Sequence, residues 1–328
     1  MSNVLSTDWP GEWGNPFSSD LCSEQDPIGR FFLWVDRQPW YREALARELP
    51  GSTPRPLTEE GRQTAQIYRA ILNLCEGSDA LRPVLVFGSN QAGRHGKGAA
   101  AYAKQHYDAV YGTGEGLQGS AYGIPTKDRA LGMLGLDEVK AAAERFVAHA
   151  AANRQRSYLL TRVGCGLAGY QDEQIAPLFE GCTPNVHLPG RWMERFGMGD
   201  GRPRVLVAGS RSIRDEEKVY QALDERFADQ RVEPVIVAGG AAGPDTFAER
   251  YALTRGLEVE RFPLWRRTEG SRATHARAIR LLWRASRAVI FWDGSSRKTG
   301  QFIKMAEEDG LPVEVIPCPP RLTQGQCV

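Results

Sequence analysis

From residue 84 onward the chain alternates short apolar runs with amphipathic stretches of ordinary helix length. Val84-Leu85-Val86-Phe87 stops at Gly88 and reads as a buried strand feeding a glycine turn. The pattern then predicts a glycine loop at 88–98, a helix at 98–108, a strand at 121–124 and a helix at 136–152. A strand at 157–162, a glycine loop at 163–170 and a helix at 171–180 follow. After the glycine-rich linker at 197–203, the run Val205-Leu206-Val207-Ala208 opens a more regular alternation. Strands are expected at 204–208, 234–238, 258–262, 287–291 and 312–316, separated by helices at 215–229, 244–255, 272–285 and 299–309. Strands separated by helices in this way predict a parallel, Rossmann-like sheet. Ahead of residue 84 the pattern is weaker, with helices expected at 27–49 and 58–75 and four tryptophans, Trp9, Trp13, Trp34 and Trp40. The division expected is a tryptophan-rich region at 1–80, α/β domains at 81–196 and 203–318, and a tail at 319–328.

Composition narrows the class. With 41% hydrophobic and 25% charged residues over 328 positions, the chain can bury ordinary cores and is not a disordered or fibrous sequence. Lys plus Arg number 41 against 40 Asp plus Glu, so no overall imbalance draws the molecule to nucleic acid or an anionic membrane. Residues 1–80 carry 7 basic and 12 acidic groups, 81–202 carry 14 and 11, and 203–328 carry 20 and 17, so any polyanion site must be local. The six cysteines (Cys22, Cys75, Cys165, Cys182, Cys318, Cys327) include no CxxC pair, which disfavours a disulfide framework and a zinc ribbon. No metal or resident cofactor is expected. The first residues have neither a basic head nor an apolar run, and no stretch approaches the roughly 18 apolar residues of a membrane helix, so a cytoplasmic protein is expected.

Two loops of the middle block carry candidate chemistry. In the first, Gly88, Ser89, Asn90, Gly93, Arg94, His95, Gly96, Lys97 and Gly98 precede a helix N-terminus. Glycines let backbone approach a phosphate or ribose, the helix end offers N–H groups, and Arg94 and Lys97 add charge. The second, Gly164-Cys165-Gly166-Leu167-Ala168-Gly169-Tyr170, repeats the strand, glycine turn and helix order. Asn90 either contacts a ribose or closes its loop as an Asx turn. His95 and Lys97 are catalytic candidates or solvated loop residues. Asp128 either orients a water or caps its turn, and Cys165 fits packing better than nucleophilic work.

Together with Gly119-Ser120-Ala121-Tyr122-Gly123-Ile124-Pro125-Thr126-Lys127-Asp128, these motifs make residues 83–182 resemble a phage and bacterial branch of the macro domain. The resemblance implies a three-layer α/β fold that binds ADP-ribose, with Asn90 at the distal ribose, 93–98 flanking it and 164–170 cradling the diphosphate. The usual Ala-Asn pair and run of consecutive glycines is replaced here by Ser89-Asn90 and a spaced, cationic loop.

Three strand ends of the C-terminal block carry polar-glycine turns: Gly209-Ser210-Arg211, then Gly239-Gly240-Ala241-Ala242-Gly243-Pro244-Asp245, then Asp293-Gly294-Ser295-Ser296 leading to Thr299. In a parallel sheet all three meet at one edge, where N–H donors and hydroxyls suit a phosphorylated nucleotide. Arg211 is the phosphate candidate, Asp245 caps the next helix or bonds a ribose, and Glu249 supports it. These motifs resemble the SLOG superfamily, relatives of the Lonely Guy phosphoribohydrolases and of DNA-processing protein A. The resemblance implies nucleotide or NAD-derived ligands, including a cyclic ADP-ribose in some Thoeris antiphage systems, and leaves open a homo-oligomer through SLOG helices. Hydrolytic members place a glutamate three positions after their motif threonine, where this chain has Phe302. Arg266, Arg267, Arg272, Arg277, Arg280, Arg284 and Arg287 form the marked basic cluster, either facing one groove or a solvated helix face.

Three functions stay open. The first is capture of an ADP-ribose-like or cyclic nucleotide by a sensor or sponge in phage–host conflict, meaning phage defence or its suppression. The second is hydrolysis of an ADP-ribosyl or N-glycosidic bond by Asn90, His95, Lys97 and Asp128. The third, single-stranded nucleic-acid binding, is disfavoured by the near-neutral charge and the lack of interleaved aromatics.

Overall fold

The computed structural model describes residues 82–319, apart from positions 229 and 263. The expected tryptophan-rich region with its helices at 27–49 and 58–75, and the tail beyond 319, lie outside the described residues.

The middle block is a five-stranded mixed sheet in the order β2-β3-β1-β4-β5. Its centre is β1 (Val84–Asn90), paired in parallel with β3 (Ala121–Lys127) and β4 (Tyr158–Leu160). Burial of Leu85, Val86 and Phe87 on both faces explains why this strand reads as a continuous apolar run. Helix α1 (Gly98–His106) follows β1, and α2 (Leu136–Ala152) follows β3. Val139, Ala142, Ala143, Phe146 and Ala150 form the buried stripe of α2, and the Glu138 carboxylate accepts the Gly135 N–H at 3.2 Å to start it. The expected helix at 171–180 is a single α turn, α3 (Asp172–Ile175), continued by a 3-10 turn (Ala176–Phe179) that contains Pro177. β2 (Gly116–Gln118) runs antiparallel to β3, and β5 (Val186–His187) closes the far edge. Helix α4 (Gly190–Phe196) leads into the linker.

The C-terminal block is an all-parallel sheet in the order β10-β9-β6-β7-β8. Its strands are β6 (Arg204–Gly209), β7 (Val235–Ala238), β8 (Val259–Arg261), β9 (Arg287–Trp292) and β10 (Val313–Pro317). Between them run α5 (Glu216–Phe227), α6 (Pro244–Arg255), the short α7 (Arg266–Glu269), α8 (Ala273–Arg284) and α9 (Arg297–Glu308). The chain winds from β6 through β7 to β8 and then starts again on the other side of β6 with β9. This reversal makes the carboxyl edge between β6 and β9 a topological switch point, where open α/β sheets bind ligands.

The arginine cluster differs from both expectations. Arg280 is fully buried and Arg284 is 4% exposed, because α8 packs between the two blocks. Ala276 of α8 belongs to the same apolar cluster as Leu85, Phe87 and Tyr102 of the middle block. Arg280 bonds both Glu269 carboxylate oxygens, the second at 3.3 Å, and lies over the Trp265 ring at 4.0 Å. Arg284 bonds Glu260, at 2.6 Å for its Nη2, and the Leu188 carbonyl, while Arg287 meets Glu194 at 3.0 Å. Arg266 and Arg272 are exposed. The cluster is therefore divided: Arg280, Arg284 and Arg287 belong to the seam between the blocks, while Arg266 and Arg272 face solvent.

Candidate functional site

The three C-terminal turns meet at the switch point. Ser210, fully buried, donates its N–H to the Phe291 carbonyl at 2.9 Å and its hydroxyl to Thr299 Oγ1 at 3.1 Å. The Asp293 N–H in turn donates to Ser210 Oγ at 3.3 Å, and Thr299 donates to Ser296 Oγ at 3.2 Å. Asp293 Oδ1 accepts the N–H groups of Ser295 at 2.9 Å and Ser296 at 2.7 Å, and Oδ2 accepts the Ser212 hydroxyl, shaping the turn before α9. Burial alone would raise the Asp293 pKa, but Ser212 and the two backbone donors outweigh it and hold it at about 2. The acid is an anion at any ordinary pH. Thr299 lies inside α9, which starts at Arg297, two residues earlier than the pattern predicts.

The turn after β7 joins the same edge through Asp245. Its Oδ2 accepts the Gly209 N–H at 3.2 Å, tying the end of β6 to the start of α6. Gly209 has no room for a side chain, since a Cβ there would lie 2.6 Å from both the Phe291 oxygen and Pro244 Cγ. Asp245 is 5% exposed, and burial pushes its carboxyl up to about 7 against the pull of Arg277 and the Gly209 N–H, with Glu249 adding to the rise. The Arg277 guanidinium donates to the Gly239 carbonyl, and a Cβ on Gly239 would sit 3.2 Å from both Arg277 Cζ and Asp245 Oδ1. Glu249 faces Gly240 and pairs with Arg261 at 3.3 Å. Arg211 is exposed, with its Cα beside Gly243, and Gly240, Gly294 and Ser295 are exposed as well. Ala241 is half-buried.

In the middle block the two glycine loops lie side by side at the ends of β1 and β4. A Cβ on Gly88 would come within 3.1 Å of the Gly164 nitrogen, so the two backbones touch. Asn90 is buried, and its amide closes its own loop, Oδ1 accepting the Arg94 N–H at 3.0 Å and Nδ2 donating to the Arg94 carbonyl at 2.8 Å. His95 is 3% exposed, edge-on to Phe87 with ring centroids 5.2 Å apart and Nε2 3.4 Å from Ser89 Oγ. Burial, then Lys104, lowers its pKa, so the imidazole is neutral. Arg94, Gly96, Lys97 and Gly98 are exposed, with Lys97 at the N-cap of α1, while Gly93 is buried. Asp128 accepts the Gly132 N–H at 2.8 Å and so caps its turn. Burial pushes the Cys165 thiol up to about 12, and its Sγ lies 3.6 Å from the Val163 oxygen. Gly166, Leu167 and Gly169 are exposed and Ala168 half-buried, and Tyr170 is anchored by a bond from its hydroxyl to the Leu134 carbonyl. The seam residues Tyr102, Trp265 and Glu269 gave no sequence signal, since the bonds of Tyr102 to Ala276 and of Arg82 to Glu269 join residues 174 and 187 positions apart.

Among the described residues no group of three or more His, Cys, Asp or Glu could hold a metal ion, and no helix is long and apolar enough to cross a membrane.

Residues 203–268, from the start of β6 to α7, match the family model described as YspA, cpYpsA-related SLOG (YAcAr). The match covers β6 to α7 of the C-terminal block and leaves α8, β9, α9, β10 and the whole middle block outside it. No curated protein and no solved structure matches the chain.

Proposed function

We propose that the protein captures an NAD-derived nucleotide of the ADP-ribose type, linear or cyclic, as a sensor or sponge in phage–host conflict of the kind Thoeris systems serve. One observation carries this reading: the turns ending β6, β7 and β9 are hydrogen-bonded to one another at the switch point of a parallel sheet, in a SLOG block. At this edge the exposed Arg211, Gly240, Gly294 and Ser295, beside the N-termini of α6 and α9, suit a diphosphate. The macro-like motifs of the middle block, with Gly88 and Gly164 in backbone contact, support a second phosphate-compatible edge.

Capture is favoured over hydrolysis because Asn90 and Asp128 spend their side chains closing their own loops and Phe302 stands where SLOG hydrolases carry an acid. Nucleic-acid binding is further disfavoured, since three of the seven clustered arginines, Arg280, Arg284 and Arg287, are paired with carboxylates. The test is calorimetry of the full chain with ADP-ribose, NAD and cyclic ADP-ribose, with product chromatography alongside. At least one should bind and return intact, and Arg211→Ala should weaken C-terminal binding about ten- to a hundredfold by losing a charge-assisted bond. No heat with any of the three overturns the reading, and conversion of the ligand replaces it with the hydrolase.

A further inference from the structure

The seam brings the two candidate edges within one helix of each other. Arg277 on α8 holds the Gly239 carbonyl of the C-terminal edge. The preceding residue, Ala276, accepts the Tyr102 hydroxyl at 3.0 Å with its carbonyl. Tyr102 also lies 3.4 Å from Arg280 Nη1 and edge-on to Trp283, with ring centroids 5.0 Å apart. It stands one turn into α1, the helix that begins where the first middle loop ends. There Leu167 of the second loop packs against Gly98, whose Cβ would lie 3.3 Å from Leu167 Cδ1. Both middle loops therefore abut the start of the helix whose tyrosine is bonded beside Arg277.

We propose that the two edges are linked across the seam, with Arg277 reading occupancy of the C-terminal edge and Tyr102 carrying it to the middle loops, so that a nucleotide at one edge changes affinity at the other. This rests on the capture reading above. The switching element is the Arg277 guanidinium, which is bonded to a neutral carbonyl on the very loop that would meet a phosphate. An ionised phosphate is a stronger acceptor for a guanidinium than a carbonyl is. In the proposed link a bound phosphate would compete with the present partners of Arg277, whose charge also acts on the buried Asp245 carboxyl. The proposed path runs from the Arg277 guanidinium through its backbone to the adjoining Ala276 carbonyl, which holds Tyr102. Around this path Arg82, Arg280 and Glu269 are buried and ion-paired and Ala276 packs in one apolar cluster with Leu85, Phe87 and Tyr102, the kind of close-packed interior that transmits strain. Arg277 is a positioning residue for the middle loops, which it does not touch.

Linkage requires the same factor in both directions, and coupled sites typically show about fivefold or more. The full chain is titrated with ADP-ribose by calorimetry in three forms: wild type, Arg211→Ala to weaken the C-terminal edge, and Tyr102→Phe, which keeps the ring and removes the bond to Ala276. Affinity at the middle edge should change about fivefold or more when the C-terminal edge is filled, and Tyr102→Phe should bring that factor close to one while both intrinsic affinities persist. A factor unchanged in Tyr102→Phe, or absent in wild type, overturns the proposal. A ligand-free arm separates this from failure of the capture reading. In Arg277→Gln, or in Arg277→Lys if the first does not fold, amide hydrogen exchange should quicken at residues 91–98 as well as at 239–243. Quickening confined to 239–243 overturns the link whether or not ADP-ribose binds.

Discussion

Asp245→Asn isolates the electrostatic cost of the C-terminal edge. The carboxyl is 5% exposed, and its pKa is raised from 3.8 to about 7, chiefly by burial. Between those values the folded protein keeps a proton that the unfolded chain has released, so stability falls as pH rises through the window. The shift corresponds to about 4 kcal/mol, absent below the unfolded pKa and fully felt above the folded one. Asparagine cannot ionise, and its Oδ1 still accepts the Gly209 N–H. Its NH2 replaces the oxygen left for the Ala241 N–H and the Arg277 charge, a mismatch of donor against donor that costs about 1–3 kcal/mol at every pH. The variant should thus be less stable than wild type in acid and more stable in mild alkali. Urea unfolding of both proteins from pH about 4 to about 8 gives the difference directly, because the groups they share cancel. A difference that stays within about 1 kcal/mol of constant refutes the assignment of a buried, proton-holding Asp245.

Glu269→Gln leaves Arg82 and Arg280 buried with no carboxylate between them, and should cost about 3–5 kcal/mol, lowering Tm by roughly 6–20 °C in calorimetry. Gly164→Ala forces a side chain onto a residue at φ +77° and 2.9 Å from the Tyr170 ring, so denaturant unfolding should show a loss of more than about 1 kcal/mol. Gly166→Ala, with nothing within 4 Å of its Cβ, serves as the control and should stay within about 0.5 kcal/mol of wild type. The Cys165 and Cys182 thiols, both pushed up to about 12 by burial, should be alkylated by iodoacetamide at pH about 8 far more slowly in the native than in the unfolded protein, as peptide mass mapping will show.

The apolar runs located the strands because a parallel strand buries both faces and admits almost no polar residue. Helices α2 and α6 begin and end where the pattern puts them, at 136–152 and 244–255, since each has a starting acid and a clear stop. β2 and β5 escaped because Gly116–Gln118 and Val186–His187 are short and lack the apolar run that marks the equally short β4. The parallel C-terminal sheet was legible from the alternation, but its order was not, since nothing local says that β9 lies beside β6 and not beside β8. The three polar turns were legible as a set. Their mutual bonds through Ser210 and Asp245 were not, because each joins residues at least 36 positions apart.

The arginines of α8 show how a local pattern misleads when its partners are remote. Arg280, Arg284 and Arg287 stand about one turn apart at the end of the helix and the start of β9, and on the sequence alone that is a basic stripe. Each carries a carboxylate from a different element: Glu269 from α7, Glu260 from β8 and Glu194 from α4. Desolvating a guanidinium costs several kcal/mol unless an anion and further acceptors meet it, so these arginines are tolerable in a seam only because both blocks supply partners together. Arg284 makes the point most sharply, joining Glu260 within its own block to the Leu188 carbonyl of the other. The carboxylates are shared: Glu269 pairs with both Arg82 and Arg280 and Glu260 with both Arg204 and Arg284, while the Arg287–Glu194 pair joins the two blocks. Among the described residues no carboxylate pairs with the exposed Arg211 at the C-terminal edge, and on the capture reading this is the charge that a phosphorylated ligand would meet.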